Sequence, residues 1–150
     1  MTKACLPHLK ERPEAHITNI SSMGGFIPFP GQTVYSASKA AVKTFTEGLY
    51  AELKDSNIGV SIVHPGAINT NIMSNSGIQT KEEEAAQKDD KASKMALDAD
   101  KAAAIIIKGI EKNKLRVLVG KDATFLDKFY RMNPATAIRF IVRKMNKMDL

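Results

Sequence analysis

Between His16 and Gly66 the chain runs through a short β-branched segment, a long proline-free helical repeat and a second β-branched segment. Few folds accept that order. His16-Ile17-Thr18-Asn19-Ile20-Ser21-Ser22 is followed by Gly24-Gly25, the pattern of a strand running into a loop. Pro28, Pro30 and Gly31 keep the chain irregular to about Gln32. From Thr33 to about Lys54 there is no proline, and Val42, Phe45, Leu49 and Leu53 recur at helical spacing. Asn57 and Gly59 close that helix; Val60-Ser61-Ile62-Val63-His64 is a second strand, ended by Pro65-Gly66. Strands alternating with helices argue for parallel pairing within one sheet, since a parallel neighbour needs a crossover of this kind.

The flanks extend the same alternation. Residues 2–12 read as a helix stopping near Pro13, with Ala4, Cys5 and Leu9 on its apolar side. Residues 67–97 show no steady period, and Lys81 to Ala99 is almost entirely charged or small. That composition predicts a surface excursion. Asp98 and Asp100 can cap a helix running to about Lys112, with Ala103, Ile106 and Ile110 toward the core. Leu115-Arg116-Val117-Leu118-Val119-Gly120 is a third strand, and helices over about 122–132 and 134–148 finish the chain. The fold expected is α/β, a Rossmann-like parallel sheet with flanking helices. Three strands fall short of the two βαβαβ halves of a doubly wound sheet, so the chain is expected to be an incomplete C-terminal portion of one.

The 150 residues carry a net charge of +6, unevenly spread. Residues 101–150 hold twelve Lys/Arg against four Asp/Glu, the first hundred ten against twelve. No zinc-finger spacing, RNP-like aromatic motif or Gly-rich RNA loop accompanies the basic end, so no nucleic-acid partner is expected. No apolar run is long enough to span a bilayer. A single cysteine, Cys5, excludes an internal disulfide and suits a cytoplasmic location. In its helix it reads as a small buried hydrophobe. His8, His16 and His64 lack partners at metal-ligand spacing and read as structural or solvated; no metal site is expected.

Tyr35-Ser36-Ala37-Ser38-Lys39 opens the long helix. A Tyr and a Lys at i and i+4 share one helix face, so the ammonium approaches the phenol. A neighbouring cation favours a phenolate, and a phenol so placed exchanges a proton with an alcohol oxygen. A hydroxyl beside it polarises a carbonyl by donating where negative charge develops. Tyr50 and Lys54 repeat the spacing in the same helix. Context separates the two. Thirteen residues before Tyr35 stands Ser22, at a strand end; thirteen before Tyr50 stands Ala37, which has no hydroxyl. Tyr50 and Lys54 therefore read as a surface pair.

Asn19-Ile20-Ser21-Ser22-x-x-Gly25, then Pro28, then Tyr35-Ser36-Ala37-Ser38-Lys39-Ala40-Ala41, resembles the active-site segment of classical short-chain dehydrogenases/reductases. Val63-His64-Pro65-Gly66-Ala67-Ile68-Asn69-Thr70 is similar to that family's Pro-Gly segment, and the likeness extends loosely to about residue 120. The resemblance implies an oxidoreductase moving hydride between NAD or NADP and a small carbonyl or secondary-alcohol substrate. It implies catalytic roles for Ser22 (orienting the substrate oxygen), Tyr35 (the acid/base) and Lys39, which would also bond the nicotinamide ribose. Tyr35, Lys39, Pro65, Gly66, Ile68 and Thr70 would line the cofactor, with the backbone at Ile68 near the carboxamide. Ser21 competes with Ser22, but a one-residue slip turns a strand side chain to the other face.

The family's Gly-rich phosphate turn is not matched: Gly24, Gly25 and Gly31 do not make Gly-x-x-x-Gly-x-Gly. The expectation is therefore a C-terminal catalytic part over 1–120, a substrate lid over 70–98 and a basic helical extension over 121–150. Residues 1–150 alone would then show little activity. In relatives the Tyr-Lys helix packs on its mate, which implies a homo-oligomer through residues 33–55, where Ala41, Phe45 and Ala51 face outward. Two other classes of function stand beside the enzyme. One is a non-catalytic association module. The other is a membrane-surface role for the basic C-terminal helix, whose stripe of Ile138, Ile141, Val142, Met145 and Met148 is equally explained by packing.

Overall fold

A computed structural model describes residues 1–70 and 96–146. The elements are α1 (Thr2–Lys10), β1 (Ala15–Ile20), a 3-10 turn (Met23–Gly25), α2 (Thr33–Leu53), β2 (Ile58–Pro65), β3 (Ile68–Asn69), β4 (Leu97–Asp98), α3 (Ala99–Glu111), β5 (Arg116–Val119), α4 (Lys121–Met132) and α5 (Pro134–Asn146). The sheet has the order β1-β2-β5, every pair parallel, with Ile17 opposite Val60 and Val63 opposite Val117. It is the α/β, Rossmann-like parallel arrangement expected from the strand–helix alternation. β3 and β4 form a separate two-stranded parallel pair, Ile68 opposite Leu97. Most of the expected lid, residues 71–95, lies outside the described residues, as does Met148.

β2 is the central strand, and Ile58 and Val60 through His64 are all buried. A parallel strand covered on both faces must be apolar nearly throughout, and this one is. On one face Leu49 and Leu53 of α2 meet Ile17, Ile58 and Val60, with Leu6 and Leu9 of α1 at the margin. On the other, Ala102 and Ile106 of α3 pack on Val63, Val117 and Val119. A third cluster joins Ile27, from the loop after β1, to Leu126 of α4 and to Ala137 and Ile141 of α5. Arg116 on β5 pairs with Asp127, which is almost wholly buried in α4, and lies 3.7 Å from Glu47 of α2. The basic C-terminal helices are thus packed on the body through the inner half of their apolar stripe.

Two side chains sit differently from expectation, and Phe45, which falls both in the helical repeat and on the side expected to face outward, is found outward. Thr46 takes the buried place on α2, its hydroxyl donating to Val42 O and accepting from Asn19 Nδ2. Ala102, not Ala103, meets the sheet from α3. Cys5 is exposed, because Leu6 and Leu9 form the inward stripe of α1 and Cys5 falls outside it. In each case the helix is where the spacing put it, and Leu9, Leu49, Leu53 and Ile106 face the core as expected. Asp98 caps α3 as expected, accepting from Lys101 N at 3.2 Å.

Candidate active site

β1, β2 and β5 all end at the same side of the sheet, so Ser21-Ser22, Pro65-Gly66 and Gly120 meet there. The crevice outside the carboxyl ends of parallel strands is where open α/β sheets bind ligands. Ser21 and Ser22 point apart, as successive residues of extended chain must. Ser21 is buried and its hydroxyl donates to Lys39 O at 2.8 Å, a tie between the strand end and α2. Ser22 caps the 3-10 turn, its Oγ accepting from Gly24 N at 3.1 Å.

Tyr35 and Lys39 lie one turn apart on α2, with Lys39 Nζ 5.7 Å from the Tyr35 ring centroid. Nζ also donates to Ile20 O at 3.5 Å, which draws it toward the strand end. Gly24 locates the third member. A Cβ at Gly24 would stand 3.3 Å from Tyr35 Cε1 and 3.6 Å from Ser22 Oγ, so the serine and the phenol ring flank one small opening. Tyr35 is 46% exposed and its ring edge is free to meet a ligand. Gly25 sets the depth of this arrangement. A Cβ there would collide with Ser21 Oγ and stand 2.8 Å from Lys39 O, so the turn lies directly on the α2 backbone. Tyr50 and Lys54 are on the same helix four turns further on, where they line a separate cavity with Ser56 and Asn57.

The Pro65–Thr70 turn follows β2 at the same end of the sheet. Gly66 N donates to Val119 O at 2.8 Å and Ala67 N donates to Asp122 Oδ2 at 2.7 Å. Leu97 N donates to Ala67 O at 2.9 Å, and Ile68 continues into β3. A Cβ on Gly66 would overlap the Asp122 carboxylate, and so would one on Gly120, whose φ of 107° already favours glycine.

Two contributors escaped sequence reasoning. His64 is fully buried; its Nδ1 donates to Ser22 O at 2.9 Å and its ring meets Phe26 edge-on at 5.3 Å. A carbonyl only accepts, so the proton of the neutral ring is on Nδ1. Burial pushes His64 below the usual histidine range, against the opposing pull of the Ser22 carbonyl; Arg116 and Lys43 lower it further and Asp127 opposes them. Asp122 is the other. Its only sequence signal was a carboxylate in the first turn of a helix after Gly120. Among the described residues no group of three or more His, Cys, Asp or Glu can hold a metal ion, and no helix is long and apolar enough to cross a membrane.

A hydroxyl and a phenol beside Gly24, with an ammonium one helical turn from the phenol, can polarise a carbonyl, move a proton and hold a diol. The family described as short chain dehydrogenase matches residues 1–81. SadH of Mycobacterium tuberculosis is 35% identical over 149 residues, 97% of this chain and 54% of that protein. The chain therefore spans about half the length of this curated relative. A short chain dehydrogenase from Burkholderia cenocepacia, solved in complex with NADP, superposes with a TM-score of 0.74 at 24% identity, over 94% of this chain and 52% of that one. A short-chain dehydrogenase from Sphingobium yanoikuyae, in complex with NADPH, gives 0.63 at 27% identity, over 78% of this chain and 42% of that one.

Proposed function

Because the chain belongs to the short-chain dehydrogenase family, we propose that it serves an oxidoreductase moving hydride between NAD or NADP and a small carbonyl or secondary-alcohol substrate. The observation that carries this reading is the grouping of Ser22, Tyr35 and Lys39 about the opening at Gly24. The NADPH bound by the Sphingobium relative supports the cofactor class. Bound nicotinamide supplies or accepts the hydride.

The residues present suit its nicotinamide–ribose end. Lys39 Nζ has one carbonyl partner at 3.5 Å and the face of a phenol, so ammonium N–H groups remain for a ribose diol. Ser22 Oγ already accepts from Gly24 N, which leaves its O–H to donate to a substrate oxygen. Tyr35 then gives its proton to that oxygen during carbonyl reduction and takes it back during alcohol oxidation. Lys39, one turn from Tyr35, would bond the nicotinamide ribose. Pro65, Gly66, Ile68 and Thr70 would line the same end of the cofactor, and the backbone at Ile68 would serve its carboxamide.

We assign catalysis to residues 1–120, and to 121–150 a basic extension whose Asp122 reaches the site. A homo-oligomer through α2 belongs to the same reading, supported by Phe45, 55% exposed, and Val34, 85% exposed, on its outer side. Packing is favoured over a membrane-surface role for α5, since Ala137 and Ile141 are buried against Ile27 and Leu126. A cytoplasmic location is proposed with it, in keeping with one exposed cysteine and no second thiol.

The test uses nicotinamide mononucleotide, which carries the end these residues suit and omits the adenylate half. Titrated at millimolar concentration into the isotope-labelled chain, it should shift the amide resonances of Tyr35, Lys39 and Gly66 through Ile68. Shifts confined to other surfaces, or none at all, would overturn the reading.

A further inference from the structure

The Pro65–Thr70 turn is held from α4, beyond the residues 1–81 that match the family model. Asp122, in the first turn of α4, accepts the Ala67 N–H at 2.7 Å across 55 residues of sequence. Its carboxylate fills the space where a Cβ on Gly66 or on Gly120 would stand. Both glycines are therefore required by one side chain: Gly66 to admit the carboxylate to the turn, Gly120 to bring the helix start beneath it. α4 begins at Gly120 without a side-chain cap, so its first-turn N–H groups and the helix dipole favour a carboxylate here. Gly66 N is tied in turn to Val119 O, the residue before Gly120. The turn is thus clamped to β5 and α4 by two consecutive amides, one through a backbone oxygen and one through Asp122.

We propose that Asp122 is a positioning residue for the nicotinamide end of the site: it fixes the Gly66-Ala67 backbone and so sets where the next residue, Ile68, presents its backbone. The inference rests on the functional reading above for what the turn meets, and on this chain's own geometry for how the turn is held. Asp122 touches neither the hydroxyl of Ser22 nor the phenol of Tyr35 and takes no proton in the reaction. Its effect is on cofactor placement. A carboxylate accepting an amide is a charge-assisted bond, stronger than a neutral one, and Asn in its place keeps the acceptor oxygen and the shape.

Amide hydrogen exchange on the whole chain, without cofactor, reads the clamp directly. In Asp122→Ala the protection of Ala67 should fall at least tenfold, while Ile62 and Val63 in the central strand keep theirs. Asp122→Asn should restore Ala67 to within about threefold of the natural chain, as a neutral acceptor would. Ala67 protection unchanged in Asp122→Ala overturns the clamp, whatever the cofactor. The second arm titrates nicotinamide mononucleotide: Asp122→Ala should weaken the response at Ile68 severalfold and Asp122→Asn should recover it. Exchange lost with the Ile68 response intact overturns the positioning role. No response anywhere in the natural chain overturns the nicotinamide reading itself, and the exchange arm then decides Asp122 on its own.

Discussion

Replacing Gly25 by alanine tests how tightly the serine-bearing turn must sit on α2. The added Cβ would collide with Ser21 Oγ and lie 2.8 Å from Lys39 O and 3.0 Å from its carbonyl carbon. The Lys39 group is main chain inside a 21-residue helix and cannot swing aside like the end of a flexible side chain. The turn must therefore lift. Overpacking of this kind costs about 1–3 kcal/mol. Lifting also breaks the 2.8 Å bond from Ser21 Oγ to Lys39 O, worth roughly 0.5–1.5 kcal/mol. The total expected for Gly25→Ala is about 2–4 kcal/mol. With a urea dependence of about 2 kcal/mol per molar, that moves the unfolding midpoint down by roughly 1–2 M. Ser21→Ala loses only the hydrogen bond and should fall well short of it. A Gly25→Ala midpoint indistinguishable from that of the natural chain would refute the close approach, and with it the geometry that sets Ser22 against Tyr35.

Burial holds both His64 and His16 below the usual histidine range, the latter against an opposing Glu14. The unfolded chain therefore takes up protons near pH 6.5 that the native chain refuses. Stability should fall as pH drops below about 6.5, and His64→Gln should flatten that slope in urea melts at stepped pH; parallel curves would contradict it. Asp127→Ala leaves Arg116, which stacks on Phe26, without its main buried partner, and should cost about 3 kcal/mol or more in the same melts. A loss under 1 kcal/mol would show the pair to be solvent-screened. Phe45→Glu should shift sedimentation toward the monomer, and an unchanged coefficient in an associated sample would exclude the α2 face from the interface.

The order of elements was legible because its signals are local. Pro28, Pro30 and Pro65-Gly66 punctuate the chain, and the helix and strands between them keep their own periods. Ser22, Tyr35 and Lys39 were legible because spacing within one strand–helix unit fixes which residues can meet. Single buried places on the helices were less so. Thr46 is buried because Asn19 and Val42 satisfy its hydroxyl, a pairing 27 residues long on the Asn19 side that no periodicity reveals. His64 and Asp122 are harder still. Each matters through a backbone atom, Ser22 O and Ala67 N, brought near by sheet register and by the start of α4. A sequence pattern records side chains, and these two act on main chain.

The most direct measurement of the central claim is hydride transfer in the intact protein, followed by the absorbance of reduced nicotinamide with a carbonyl substrate. Tyr35→Phe and Tyr50→Phe differ in one respect that matters here: only Tyr35 shares an opening with Ser22. Removing an acid/base group lowers turnover by roughly 10²-fold or more. Tyr35→Phe should lose that much with cofactor binding retained, and Tyr50→Phe should stay within about twofold, as expected of a group that exchanges no proton with substrate. Equal effects, or a larger loss at Tyr50, would contradict the assignment of the chemistry to Ser22, Tyr35 and Lys39.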